Sequence, residues 1–562
     1  MADCREQVYS NDYFDFIIAY GEAAYVPATQ GCVQRIDEDY DTLYYPREGL
    51  PEFSVKDYTY TAIPKCYGLL DRTALEASGI IRMQEQPALS LKGDGVLMGF
   101  IDTGIDYTNP LFRYADGSSR IIRLWDQTIE NGEPPEGIIY GAEYTQAQIS
   151  EALKSENPYS MVPSRDENGH GTFLAGVACG GENIENDFIG AAPNADIAVV
   201  KLKEAKQYLR DYFFIPEGAP AFQENDIMLA IAYLNRLAAT RNQPLVICIA
   251  LGTASGSHGA AGNLASYLND ICRRRQRAIV VATGNEANTR HHFSGRIIGD
   301  MEYEEVEINV EADMDGFVME LWAASPELFA VSVISPTGEQ VPKIPVRPGV
   351  SETYDFIFER TTVTIDYRIE SKNGASQLTF FRFIQPKRGV WRVRVYPQST
   401  ITGLYNIWLP LQQFTGGNVF FLRSNPDTTL TIPSAAQLVI TVGGYNSANN
   451  SIYADSGRGF TITGVIKPDF TAPAVNVFGP GRHQDFTTYT GTSVAAAITS
   501  GACAQVFQWA LVEQNQPQMS NAALKNMLIR GTQKMEGINY PNRQWGYGTL
   551  DVYNAFRVLQ SS

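Results

Sequence analysis

Cysteine is scarce in this sequence. Cys4, Cys32, Cys66, Cys179, Cys248, Cys272 and Cys503 are the only seven in 562 residues, and no two form a CxxC pair. An odd number at scattered spacings argues against a disulfide framework or a zinc site and favours buried free thiols. Basic charge is also short: 44 Lys and Arg stand against 62 Asp and Glu, a formal net charge of −18. A nucleic-acid binder needs a cationic face, so that class is disfavoured; the acidic excess promotes solubility. No run reaches the roughly 18 apolar residues that span a bilayer. The first residues, MADCREQVYSNDYFDFIIAYG, lack the basic start and the apolar run of a secretory leader. The expectation is therefore cytoplasmic synthesis, no signal peptide and no membrane span. What is present is globular: 44% hydrophobic and 19% charged residues fit neither disorder nor a charge-rich coil. The length calls for two or three domains.

The pattern changes twice along the chain. Residues 1–72 read as a small α+β unit that leans on the rest of the chain, with a strand at DFIIAY (15–20), an acidic turn at DEDYD (37–41) and an alternating, half-buried strand at VKDYTYTAI (55–63). Residues 73–295 alternate strands and helices. GVLMGFID (95–102), ADIAVVKL (195–202), PLVICIAL (244–251) and RAIVVATG (277–284) are continuous apolar runs, as expected of parallel strands covered by helices on both faces. Residues 296–427 switch to period-two runs such as EVEINVEA, VTIDYRIE and VWRVRVYP, which suggest an antiparallel sandwich or jelly roll. Residues 428–562 return to a buried strand, AAQLVITVGGYN, and two helices, SVAAAITSGACAQVFQWALVEQ and SNAALKNMLIRG. The fold class is thus α/β, a parallel sheet interrupted by a β insertion. No internal repeat is present.

Three short stretches carry chemistry. Asp102 ends an apolar strand in IDTG, where open parallel sheets gather their active sites. His170 opens a helix in NGHGT, and Ser493 opens another in GTSVA. A serine needs a base to take its proton. A histidine supplies one, and an aspartate fixes its tautomer and stabilises the imidazolium. Each stretch alone has a plainer reading as a turn, a structural histidine or a helix cap. Together, in the order Asp, His, Ser, they point to acyl transfer. Asn285, in ATGN at the end of another strand, has an amide able to donate to a developing oxyanion.

With GFIDTGID (99–106), GHGTFLAG (169–176), VVATGNEAN (280–288), KPDFTAPAVNV (467–477) and GTSVAAA (491–497), the chain resembles a subtilisin-like serine protease of the S8 family. The resemblance implies that Asp102 orients His170, that His170 is general base then acid, and that Ser493 is the nucleophile. It gives the oxyanion hole to Asn285 and the Ser493 backbone N–H. It makes Ala250, Leu251 and Gly252, with Thr283 and Gly284, the wall that holds an extended protein or peptide substrate. IIRLWDQTIENG (121–132), VVKLKEAK (199–206), HHFSG (291–295) and the long insertion resemble more narrowly the clostridial Csp germination proteases. That group implies a prodomain at 1–72, cut between Leu70 and Thr73 and retained non-covalently. It also implies a jelly-roll insertion, a spore-associated location and cleavage of a spore-cortex hydrolase precursor. A degradative subtilase and a signalling pseudoprotease with an occluded site stay as alternatives.

Two positions depart from the family pattern. Ala497 stands where most subtilisins have proline, and Leu111 where many have an aspartate that binds calcium. The loop GGENIENDF (180–188) reads as a solvated turn; no required metal and no cofactor is expected. Cys272–Arg277 reads as a solvated helix end, and His291-His292 as loop or rim residues. His258 and His483 match no motif.

Overall fold

The computed structural model describes residues 5–19, 31–69, 76–87, 89–259, 261–370 and 376–561. Seven parallel strands form its centre, in the spatial order Phe470–Pro473, Ile440–Asn446, Arg277–Ala282, Leu245–Ile249, Leu97–Asp102, Asp196–Lys201 and Ile121–Asp126. Ala142–Thr145 and Ser451–Ile452 add antiparallel strands to Ile121–Asp126 and Ile440–Asn446. Leu97–Asp102 is buried at every position because both faces are covered. Met98 and Phe100 pack into one cluster with the helices His170–Cys179 and Thr492–Phe507. Leu97 and Ile101 point the other way, to Glu224–Thr240 and Asn263–Arg273. Alternation along a strand thus feeds two cores from one apolar run.

Thr492–Phe507 is buried along its whole length. Continued by Gln508–Val512, it is the one described helix long and apolar enough to cross a membrane, a match the apolar-run count missed; 94% of that window is buried inside the fold. Its alanines, serines and glycine let it lie close to its neighbours.

The insertion is two antiparallel sheets. One has the order His292–Arg296, Leu404–Trp408, Gly316–Ala324, Ser376–Ile384, Thr361–Glu370, Ser351–Phe356; the other Leu328–Ile334, Gly389–Ser399, Glu304–Val310, Val419–Phe421. Inward residues of both sheets, among them Phe329, Phe381, Trp391 and Ile407, share one apolar cluster.

The N-terminal unit has a three-stranded antiparallel sheet, Tyr13–Ala19, Tyr40–Pro46, Cys32–Arg35. It docks through Ile17, Tyr40 and Tyr44 onto the helices Glu224–Thr240 and Asn263–Arg273. Buried ion pairs lie at this junction: Asp15 with Lys206 at 2.6 Å, and Lys203 with Asp226 at 2.7 Å. An aromatic cluster with Phe14, Phe16, Tyr58, Tyr208, Tyr212 and Phe380 joins the unit to core and insertion.

Several expectations need correction. Residues 55–63 are turns and the 3-10 helix Tyr60–Ala62, not a strand. Val55, Tyr58, Tyr60 and Ile63 are the buried apolar side chains there, an irregular spacing that only resembles alternation. Cys32 is disulfide-bonded, a pairing that chain spacing cannot report, whereas Cys66, Cys179, Cys248, Cys272 and Cys503 are free and buried. Arg277 is not solvated with Arg273, Arg274 and Arg275 of its run. It is buried, with Nε donating to Asn235 Oδ1 at 2.8 Å, and burial lowers its pKa to about 10.

Candidate active site

Asp102 stands at the C-terminal end of the central strand and is almost fully buried. His170 Nδ1 lies 2.7 Å from its Oδ1. A nitrogen that close to a carboxylate carries the proton, which leaves Nε2 of the neutral ring as an acceptor. Asp102 Oδ1 also accepts Thr103 N–H at 2.8 Å, so the carboxylate has one orientation. Gly171 explains the close approach of helix to strand: a Cβ there would lie 2.2 Å from Gly104 O.

The N-terminus of the helix His170–Cys179 is held by Asp166, a residue the motifs did not single out. Its carboxylate accepts Gly169 N–H, Thr172 N–H and Thr172 Oγ1–H at 2.7–2.8 Å, and its Oδ1 lies 2.8 Å from Thr103 Oγ1. Thr103 Oγ1 in turn accepts Gly171 N–H at 3.1 Å. These bonds satisfy donors that a helix start leaves orphaned, because the N-cap position is Gly169, which has no side chain. They also tie the histidine helix to the residue after Asp102.

Ser493 is the second residue of the helix Thr492–Phe507, which packs against the His170 helix and the Asp102 strand. Ser493 is fully buried, and its Oγ takes no hydrogen bond among the described residues. Asn285 Oδ1 accepts both Thr492 N–H and Thr492 Oγ1–H at 3.1 Å. A backbone N–H can only donate, so the carbonyl end of the amide is anchored and the Nδ2 end is the one available as a donor. Gly284, at φ +87, lets the chain turn here; a Cβ would lie 2.4 Å from Thr431 Cγ2. Thr283, the residue before it, and Ala250, which follows the strand Leu245–Ile249, are both buried. Ala497 is buried in an uninterrupted helix, and Leu111 is buried in the short 3-10 helix Pro110–Phe112.

Leu251–Gly252 is a two-residue strand, and its partner is the chain's own N-terminal unit. Cys66–Leu69 pairs antiparallel with it, Leu69 facing Leu251 and Gly68 facing Gly252. On the other side Cys66 and Tyr67 pair with Phe222–Gln223, a second wall that is too short to register as a pattern. The expected cut between Leu70 and Thr73 lies outside the described residues.

His258, His291 and His292 are structural, whereas His483 is exposed. His291 and His292 are buried at the start of the insertion, not on a rim. His291 Nδ1 lies 2.6 Å from Pro410 O, and the rings of His258 and His292 stack on Trp408. Burial lowers the pKa of all three to about 4, so they are neutral. Burial raises the carboxyl of Glu286, next to Asn285, to about 7.

Comparison with known proteins bears on the family and the fold. A model described as the subtilase family matches residues 93–310 and 414–548. Serine protease AprX of Bacillus subtilis (strain 168) is 31% identical over 154 residues, 24% of this chain and 33% of that protein. C5a peptidase of Streptococcus pyogenes serotype M1 is 20% identical over 434 residues, 73% of this chain and 34% of that protein. The chain spans about a third or less of the length of such curated relatives. The solved structure of the Clostridium perfringens CspB protease matches with a TM-score of 0.77 at 32% identity, over 86% of this chain and 98% of that one.

Proposed function

The chain belongs to the subtilase family, and from that premise we propose that it is a serine endopeptidase working through Asp102, His170 and Ser493. An extended peptide enters between Leu251–Gly252 and Phe222–Gln223 and pairs with both by main-chain hydrogen bonds. Ala250, Thr283 and Gly284 complete the wall near the scissile bond. His170 Nε2 takes the Ser493 hydroxyl proton as Oγ attacks the carbonyl carbon. Asn285 Nδ2–H and the Ser493 backbone N–H stabilise the oxyanion. His170 then gives the proton to the leaving amine, and water releases the acyl group by the same steps in reverse order. Asp102 keeps the Nδ1 proton in place and stabilises the imidazolium. One observation carries this reading: the 2.7 Å contact between Asp102 and His170 at the sheet edge where Asn285 is anchored to the residue before Ser493.

Residues 1–72 act as a prodomain that stays bound after a single self-cleavage. The support is Cys66–Leu69, which already lies along Leu251–Gly252 as a peptide would. Residues 296–427 are a jelly-roll unit that contributes no catalytic group. The substrate is the inactive precursor of a spore-cortex hydrolase, acted on in the spore. That part rests on likeness to the CspB protease and is finer than the family assignment. The buried Ser493 favours one second reading, a signalling pseudoprotease whose site stays occluded.

A serine-directed fluorophosphonate probe separates the two readings. A covalent adduct located on Ser493 by mass spectrometry, and absent from Ser493→Ala, is expected. No Ser493-dependent adduct would favour the pseudoprotease.

A further inference from the structure

Lys65 continues the cleft-filling strand by one residue. Its carbonyl accepts Glu224 N–H at 3.0 Å, and its own N–H donates to Glu224 Oε2 at 3.3 Å. Its position, four residues before Leu69, which faces Leu251, is therefore fixed by one main-chain bond of the kind a bound peptide would make and by the Glu224 carboxylate. The Lys65 side chain is buried, with Nζ 4.2 Å from the Tyr60 ring and donating to Tyr60 O and Ile63 O. It lines a cavity with Glu224 and Gly256 of the core and Trp322 and Glu370 of the insertion.

Glu320, two residues from Trp322 on the insertion strand Gly316–Ala324, binds all three units together. Its carboxylate accepts Tyr60 O–H at 2.6 Å, Trp322 Nε1–H at 2.8 Å and Gly256 N–H at 2.9 Å. Glu224 and Glu320 are 3% and 2% exposed. Burial raises the Glu320 carboxyl, and its three hydrogen bonds and the Lys65 charge oppose that rise. The core and insertion walls, among them Glu224, Gly256, Trp322 and Glu370, remain when the N-terminal segment gives way to another peptide, whereas Tyr60, Thr61 and Ile63 leave with that segment and the incoming peptide must supply their part itself.

We infer that core and insertion jointly form a peptide subsite for a cationic side chain, lysine or arginine, four residues N-terminal to the substrate residue that faces Leu251. The inference rests on the endopeptidase reading and deepens it: the main-chain ladder supplies affinity, and this pocket supplies specificity. A neutral or acidic side chain there would take away the positive charge that opposes the rise of the buried Glu320 carboxyl, in a cavity also lined by Glu224 and Glu370, which selects against such peptides. The insertion then has a part in substrate choice without touching the reacting atoms.

The test uses the full-length chain and internally quenched peptides with the sequence of residues 58–78, carrying Lys, Arg, Gln or Glu at the position of Lys65. Lys and Arg peptides should exceed the Gln peptide in kcat/KM about 10-fold, and the Glu peptide by more. In Glu224→Gln and in Glu320→Gln, made separately so that one folding failure is not fatal, the Lys-to-Gln ratio should fall to about 2 or less. Equal cleavage of the Lys and Gln peptides by the unmodified chain overturns the subsite.

If that chain cleaves none of them, the endopeptidase reading is what has failed, and a second readout decides the subsite. In full-length Ser493→Ala, Lys65→Gln should speed amide exchange at Cys66–Leu69 about 10-fold, and by clearly less when Glu320→Gln is already present. No change, or the same change in both backgrounds, overturns the subsite on that arm.

Discussion

Replacing Asn285 separates a donor from its anchor. Its Oδ1 is held by Thr492 N–H and Oγ1–H, both at 3.1 Å, so Nδ2 is the end that serves chemistry. Asn285→Ala removes the donor. Losing one oxyanion donor typically costs about 2.7–4 kcal/mol of transition-state stabilisation, or about two to three decades in kcat at about 1.36 kcal/mol per decade. The substrate's ground-state carbonyl gains little from the same group, so KM should stay within about twofold. Asn285→Asp keeps an oxygen for both Thr492 donors but presents a second oxygen where the oxyanion forms. It should therefore be no more active than Asn285→Ala while melting closer to the unmodified protein. The assay is steady-state hydrolysis of a quenched peptide, with a thermal scan on each variant. An Asn285→Ala variant that keeps more than about a tenth of kcat, or whose whole loss lies in KM, would refute the assignment.

Other consequences are as direct. Asp166→Ala should cost about 1–2 kcal/mol as a lost helix cap and slow fluorophosphonate labelling of Ser493, with Asp166→Asn milder; unchanged labelling would show that Asp166 does not position His170. Glu286 is held protonated to about pH 7 by burial, whereas an ordinary glutamate ionises near 4.5. The folded state thus binds more protons between those values, so its contribution to stability falls as pH rises through that window and is flat above it. Glu286→Gln should abolish that fall, worth about 3 kcal/mol, and a thermal-shift series from pH 4.5 to 8 that runs parallel for both proteins would contradict it. Asp15→Ala leaves Lys206 buried without its carboxylate, a change of about 3–5 kcal/mol for a broken buried pair. Hydrogen exchange should rise in Tyr13–Ala19 and stay low in Leu97–Asp102; no rise in Tyr13–Ala19 would show that the pair does not hold the unit in place.

The parallel core was legible because two-sided burial leaves continuous apolar runs, and runs such as GVLMGFID have no other economical explanation. The three chemical stretches were legible because each ends a strand or opens a helix. Burial of single polar residues was not. Arg277 belonged to a basic run and His291-His292 to a polar doublet, yet tertiary packing encloses all three. Asp166 lies four residues before His170 in a loop without periodicity, so only the assembled hydrogen bonds reveal what it holds. Phe222–Gln223 is two residues long and acquires meaning only from the strand laid against it. Residues 55–63 misled because packing against an aromatic cluster from several directions gave an irregular apolar spacing of three, two and three residues that only resembles alternation.

The most direct measurement of the central claim is the rate of peptide hydrolysis by the unmodified chain, Ser493→Ala, His170→Ala and the double variant, each confirmed folded by thermal scan. Residues acting as one unit do not contribute additively. Each single change should reduce kcat to a similar residual level, and the double variant should be no slower than either. Hydrolysis that survives Ser493→Ala, or losses that add in log rate in the double variant, would contradict a reaction carried by Ser493 with His170 as its base.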